Sequence, residues 1–189
     1  MRIAFGAMVV TASLFLAGCQ AAAPTASAVQ ARFDPQEAGF IKKSGAAKIS
    51  GHAFWRRNEG GTTDASGEIV RLVPATAYAR ERFTALYRGG RSIAAADIQQ
   101  APADPLYGEY TRTTRAESNG RFEFKDVAPG TYFVTAQIVT TDKNRWLKLQ
   151  SGMYNQVQHL GKDGGAMFET VTVTGKEDGP IKLVLTNDR

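Results

Sequence analysis

Cysteine is all but missing from this chain. Cys19 is the only one in 189 residues, so no intramolecular disulfide can staple the fold. Histidine is nearly as scarce: only His52 and His159 are present, and neither sits in a catalytic-triad or metal-ligand spacing. Glycine is plentiful but never arranged as a phosphate-binding loop of the P-loop or dinucleotide type. Gly60-Gly61 and Gly164-Gly165 read as turns, and Asp64, Glu68 and Asp163 lie near glycines without calcium-loop spacing. No catalytic residue, metal or cofactor is therefore expected. Charge of one sign is not concentrated either. The net charge is +5, and Arg80, Arg82, Arg88 and Arg91 are interspersed with Glu81, Asp97 and Asp104. Nucleic-acid binders cluster basic residues on one face, so nucleic acid is not an expected partner. No apolar run reaches the ~20 residues of a membrane-spanning helix.

What is present begins with a leader. Arg2 supplies a positive start, an apolar run extends from Ile3 to Ala17, and small residues precede Cys19. This is the layout of a secretory signal peptide. The ending Leu16-Ala17-Gly18-Cys19 resembles the lipobox of bacterial lipoprotein precursors. In that family a peptidase cleaves before the cysteine, whose thiol and new amino group receive fatty acyl chains such as palmitate. The resemblance implies a signal peptide over 1–18, lipidation at Cys19, and a membrane as partner through the N-terminal lipid. A buried thiol or an uncut anchor are the competing readings of Cys19. A lone cysteine closing a short apolar leader fits lipidation better than either. Each buried methylene contributes about 0.8 kcal/mol, and two or more chains anchor stably. In many Gram-negative lipoproteins an aspartate after the cysteine retains the protein at the inner membrane. Gln20 stands there instead, so the resemblance implies a periplasm-facing outer-membrane lipoprotein.

Residues 20–33 are small, low in complexity and poor in large apolar groups, the composition of a flexible tether. Asp34-Pro35-Gln36-Glu37 supplies an N-cap, a proline at the first helical position and an acid at the third, so a short helix is expected before Ser44-Gly45. The expected division is a tether over 19–46 and a folded domain over 47–189.

Within that domain the pattern is of strands. Ile49–Trp55, Glu68–Pro74, Tyr110–Thr114, Arg121–Lys125, Thr131–Val139, Arg145–Leu149, Met167–Thr174 and Ile181–Thr186 are rich in strand formers and separated by turn residues. Arg121-Phe-Glu-Phe-Lys125 alternates strictly, Asn119-Gly120 is a tight-turn signal, and Gly175–Gly179 is expected to join the last two strands as a hairpin. Thr131–Val139 is apolar on both sides and should lie centrally. Residues 75–108 break this rhythm. Ala79, Phe83, Leu86 and Tyr87 recur at helical spacing before Gly89-Gly90, and prolines follow at 102 and 105. The segment reads as an insertion, a short helix and then a loop. The fold expected is all-β, a seven- to eight-stranded β-sandwich with a short helical and loop insertion.

The block Ser118-Asn-Gly-Arg-Phe-Glu-Phe-Lys-Asp-Val-Ala-Pro-Gly-Thr-Tyr132 resembles the signature of carboxypeptidase regulatory-like domains. These share a transthyretin-like (Ig-like) sandwich, and Gly51–Val73 is similar to their first hairpin. The resemblance covers about Ile49 to Val139, apart from the insertion, and implies fold more than function. One transthyretin-like family hydrolyses 5-hydroxyisourate with a terminal Tyr-Arg-Gly-Ser. Thr186-Asn187-Asp188-Arg189 does not match it. The expectation is a non-catalytic, lipid-anchored envelope module that contacts an envelope protein or polysaccharide. The alternative is an enzyme or enzyme-accessory protein acting on cell-wall material. A flat aromatic patch over residues 78–110 would favour the binder, and His52 or His159 clustered with carboxylates would favour the enzyme. Tyr78, Arg80, Arg88 and Tyr107 are the candidate binding residues. Phe83 and Leu86 are expected to pack inward, and Trp55 and Trp146 either cap the core or add to an aromatic platform.

Overall fold

Phe122 and Phe124 fall on one face of strand β6 (Arg121–Val127) and are buried, while Arg121 and Lys125 on either side of them are exposed and Glu123 between them is half-buried. The same period-two logic builds the rest of the molecule. The computed structural model describes residues 29–98, 102–141 and 162–188. The other strands are β1 (Ser44–Arg56), β2 (Thr62–Asp64), β3 (Ile69–Pro74), β4 (Ser92–Ala94), β5 (Arg112–Arg115), β7 (Gly130–Thr141), β8 (Lys162–Val173) and β9 (Ile181–Leu185). Helix α1 spans Pro35–Ala38 and runs into a 3-10 turn, Gly39–Lys42. Helix α2 spans Ala77–Leu86.

Two sheets face each other, as expected of a β-sandwich. In one, β1 pairs with β2 and β6 antiparallel and with β9 parallel; the other runs β4-β8-β7-β3-β5. Ile49, Trp55, Phe122 and Phe124 from the first sheet meet Val70, Leu72, Tyr132 and Val134 from the second in a single core. Tyr132 is fully buried, and its hydroxyl donates to the Ala128 carbonyl at 2.7 Å. β7 is central, flanked by β3 and β8. Gly51 sits where β1 crosses the Phe122 ring, and a Cβ there would meet that ring at 2.5 Å. Gly120 closes the expected tight turn at φ +74, a conformation glycine adopts without strain.

Several expectations need correction. There are nine strands among the described residues, because β2 and β4 are three-residue edge strands within stretches that read as turn and loop. β1 begins before Ala47: Ser44 and Ala47 both pair with Val127 across a register shift. The strands at 49–55 and 69–74 lie in opposite sheets, so they do not form one hairpin. Nor does Gly175–Gly179 join a hairpin. Glu177 accepts from the Thr174 N–H at 2.6 Å and the Gly175 N–H at 3.0 Å, and the chain crosses from β8 in one sheet to β9 in the other. The strand expected over 145–149, Trp146 with it, lies outside the described residues, as does the leader with Cys19. No helix among the described residues is long and apolar enough to cross a membrane.

Candidate functional site

The outer face of the five-stranded sheet carries the most elaborate surface, and α2 divides it. Thr76 starts the helix by accepting the Ala79 N–H on its side chain. The helix buries Ala79 and Phe83 and continues into Tyr87, which is also buried. Phe83 stacks on Phe133 of β7 with ring centroids 4.5 Å apart and meets Phe168 of β8 edge-on at 4.8 Å. Val73 and Ala75 complete this second apolar cluster. The inserted helix is thus a third layer that covers part of the sheet's outer face.

Another part is left uncovered by α2. There Glu68, Ile69, Arg71, Gln137 and Val139 line a hollow of about 170 Å³. Alternation puts Ile69 and Arg71 outward, because Val70 and Leu72 point into the core. The register Arg71↔Thr135 and Val70↔Ala136 then sets Gln137 beside Ile69. The helix side supplies two phenols. Burial pushes Tyr87 up to about 12, opposed by its 2.8 Å hydrogen bond with Thr135 and by the positive charge of Arg71. Burial also pushes Tyr107 upward, against the charges of Arg82 and Arg71. Arg71 therefore stands at the junction of the hollow and the insertion. Its backbone pairs with β5 and β7, but its side chain makes no hydrogen bond or ion pair with the described residues, and neither does the side chain of Glu68. Its exposed neighbour Arg115 is committed to the Gly67 carbonyl. The hollow thus combines a cationic donor, an anionic acceptor and an amide that can do both, between two aliphatic side chains.

The sequence-derived candidates fall differently. Tyr78 is 6% exposed, and its hydroxyl accepts the Asp104 N–H at 2.8 Å. Tyr107 is half-buried, edge-on to Tyr78 at 5.4 Å and beneath the Arg82 guanidinium. Neither forms an open platform: their rings close the seam between the insertion and the N-terminal segment, which leaves no flat face for a ligand. Arg80 and Arg88 are exposed as expected, and Arg88 lies 3.7 Å from Asp97. Phe83 packs inward fully and Leu86 partly. Trp55 is 8% exposed within the sandwich core. His52 bonds Asp64 at 3.0 Å on the outer side of the other sheet, and His159 lies outside the described residues. Among the described residues no group of three or more His, Cys, Asp or Glu could hold a metal. Sequence reasoning missed Arg71 and Gln137. Their one signal was polarity at alternate positions of otherwise apolar strands, which is also the signal of an ordinary solvent face.

No family model matches the chain, and no curated protein matches it. Among solved structures, the fold is similar to that of a Pseudomonas aeruginosa protein described as a "putative carbohydrate binding protein". The TM-score is 0.63 at 24% identity, over 82% of this chain and 97% of that one. A 9R-lipoxygenase from Cyanothece aligns at a TM-score of 0.26 and 12% identity, over 77% of this chain and 17% of its own. That likeness is too slight to carry an argument.

Proposed function

We propose that this protein is a non-catalytic binding module of the cell envelope, lipid-anchored at Cys19 on the periplasmic face of the outer membrane, that takes a polysaccharide segment into the hollow beside α2. The observation that carries the reading is that Arg71 and Glu68, whose side chains have no partner among the described residues, line one hollow with Gln137. Sugar hydroxyls donate and accept at once, and a site with a donor, an acceptor and an amide answers both. Ile69 and Val139 offer aliphatic surface to the C–H faces of a sugar ring. The fold shared with the Pseudomonas protein, along nearly its whole length, is a second support.

The test is calorimetric titration of the mature chain with envelope polysaccharide fragments, beside Arg71→Ala and Gln137→Ala. Removing a charged hydrogen-bonding partner costs about 1.5–3 kcal/mol, so Arg71→Ala should weaken binding by roughly 10- to 100-fold. The neutral amide should matter less. Undiminished binding by both variants would move the site elsewhere, and no heat with any saccharide would remove the ligand class. Anchoring is tested separately. Cys19→Ser should abolish incorporation of a fatty-acid analogue and release the protein from the membrane fraction, and equal labelling of the variant would remove the lipoprotein reading.

A further inference from the structure

The segment that precedes the sandwich is built into it. Glu81 on α2 spreads its carboxylate over two backbone N–H groups, Gln30 at 2.7 Å and Ala31 at 2.6 Å. Those two bonds stabilise the charged form and hold Glu81 below the usual carboxylate range. Two residues on, the Phe33 ring stands edge-on to Tyr78, Tyr107 and Tyr110 at 5.7, 6.0 and 5.4 Å. Glu37 then reaches back to accept the Ala77 N–H at 2.9 Å, a negative charge at the positive end of α2. Ala38 and Ile41 are buried, and Phe40 contacts Tyr132 at 5.2 Å. Polar and aromatic holds thus alternate from Gln30 onward. A plain spacer between a lipid and a domain needs none of them.

We infer that residues 30–43 form a strap that sets which side of the protein faces the bilayer: the α2 layer is turned toward the membrane and the four-stranded sheet away from it. This rests on the attachment at Cys19 proposed above. Gln30 is the first docked residue among those described, and residues 20–29 lie between it and Cys19. A segment of about ten residues spans at most ~36 Å and, as a coil, roughly 15–20 Å. The strap delivers that short length to Glu81, on the outermost layer of the fold. The opposite surface carries Val184, 55% exposed on β9. It lies beyond two sheets, and at roughly 10 Å per layer the domain is as thick as a ten-residue coil is long. Were the strap undocked, the free chain would run to residue 43, about 80 Å when extended, and the domain would turn freely. The hollow opens on the α2 side of the five-stranded sheet, so the same orientation places it toward the membrane.

The test couples the mature chain through its single thiol, Cys19, to a maleimide phospholipid in phosphatidylcholine vesicles. The neutral lipid removes charge attraction as a cause of orientation. Photoreactive benzoylphenylalanine replaces Arg80 in one preparation and Val184 in another. Crosslinking to lipid from position 80 should exceed that from position 184 on the order of fivefold or more, given the layers between them. Equal yields would overturn the inference. Combining Glu81→Gln with Phe33→Ala should bring the two yields together while circular dichroism stays unchanged. A bias that survives in that variant would show that the strap does not set the orientation. The coupling imposes the anchor chemically, so a failure of native lipidation appears only in the fractionation experiment and is not confused with this one.

Discussion

Phe83→Ala should unfold the protein more readily by about 3–4 kcal/mol, although the residue lies in an insertion outside the sandwich. The ring is 5% exposed and touches three others: Phe133 at 4.5 Å, Phe168 at 4.8 Å and Tyr87 at 5.5 Å. Truncating a buried phenylalanine costs about 3–5 kcal/mol, and aromatic pairs contribute about 0.5–1.5 kcal/mol beyond their buried area. Settling of α2 onto the sheet recovers part of this, because Leu86 and Ile93 at the cluster's rim are only partly buried. With a urea slope of about 2 kcal/mol/M, the unfolding midpoint should fall by roughly 1.5–2 M. Thr84→Ala is the control. That side chain is exposed on the same helix and bonds only the Arg80 carbonyl, so its variant should stay within about 0.5 kcal/mol of the parent. If Phe83→Ala moves the midpoint by less than about 0.5 M at an unchanged slope, α2 is not a structural layer of this fold. A separate early transition for α2 would refute the reasoning equally.

Tyr132→Phe should cost about 1–2 kcal/mol, because the buried Ala128 carbonyl loses its 2.7 Å partner; at roughly 2–4 °C per kcal/mol this is readable by calorimetry. Strap docking should also depend on pH. The folded-state pKa of Glu81 is depressed by the Gln30 and Ala31 N–H groups, so its contribution is fully present above the unfolded carboxylate range and is lost as pH falls through the lower folded value. The backbone amide resonances of Gln30 and Ala31 should move together on acidification below the ordinary carboxylate range, and should not do so in Glu81→Gln.

Much of the sandwich was legible because it is written in period two. Phe122 and Phe124 alternate with polar or charged neighbours, so one face had to be core, and Thr131–Val139, apolar on both sides, had to be covered on both. The α2 helix was legible from Ala79, Phe83 and Leu86 for the corresponding reason at period 3.6. The partner of β9 was not, because Ile181–Leu185 carries the same alternation whether it folds back on β8 or crosses to β1. Only the turn held by Glu177 distinguishes the two, and its carboxylate bonds leave no periodic trace. The strap was illegible for a different reason. Residues 20–33 are mostly small and low in complexity, and the docking of Gln30, Ala31 and Phe33 depends on Glu81 and three tyrosines that are distant in sequence. The exposed-aromatic argument misplaced Tyr78 and Tyr107 on that account: the ring that covers them, Phe33, was counted as part of the tether.

The parallel pairing of β1 with β9 also has a bearing on the order in which the chain can fold. Ile49 through Ala53 stand against Ile181 through Leu185, the first strand against the last of those described. While the polypeptide emerges N-terminus first, one edge of β1 has no neighbour and the core lacks Leu185, which is fully buried in the finished molecule. Local contacts cannot substitute for a pairing of such long range, so closure waits for the final strand. Through most of its emergence the chain therefore presents an open strand edge, a site for mispairing that a chaperone would have to shield. The placement of Ile181–Leu185 so far downstream of Ile49–Ala53 thus holds back closure of the sandwich.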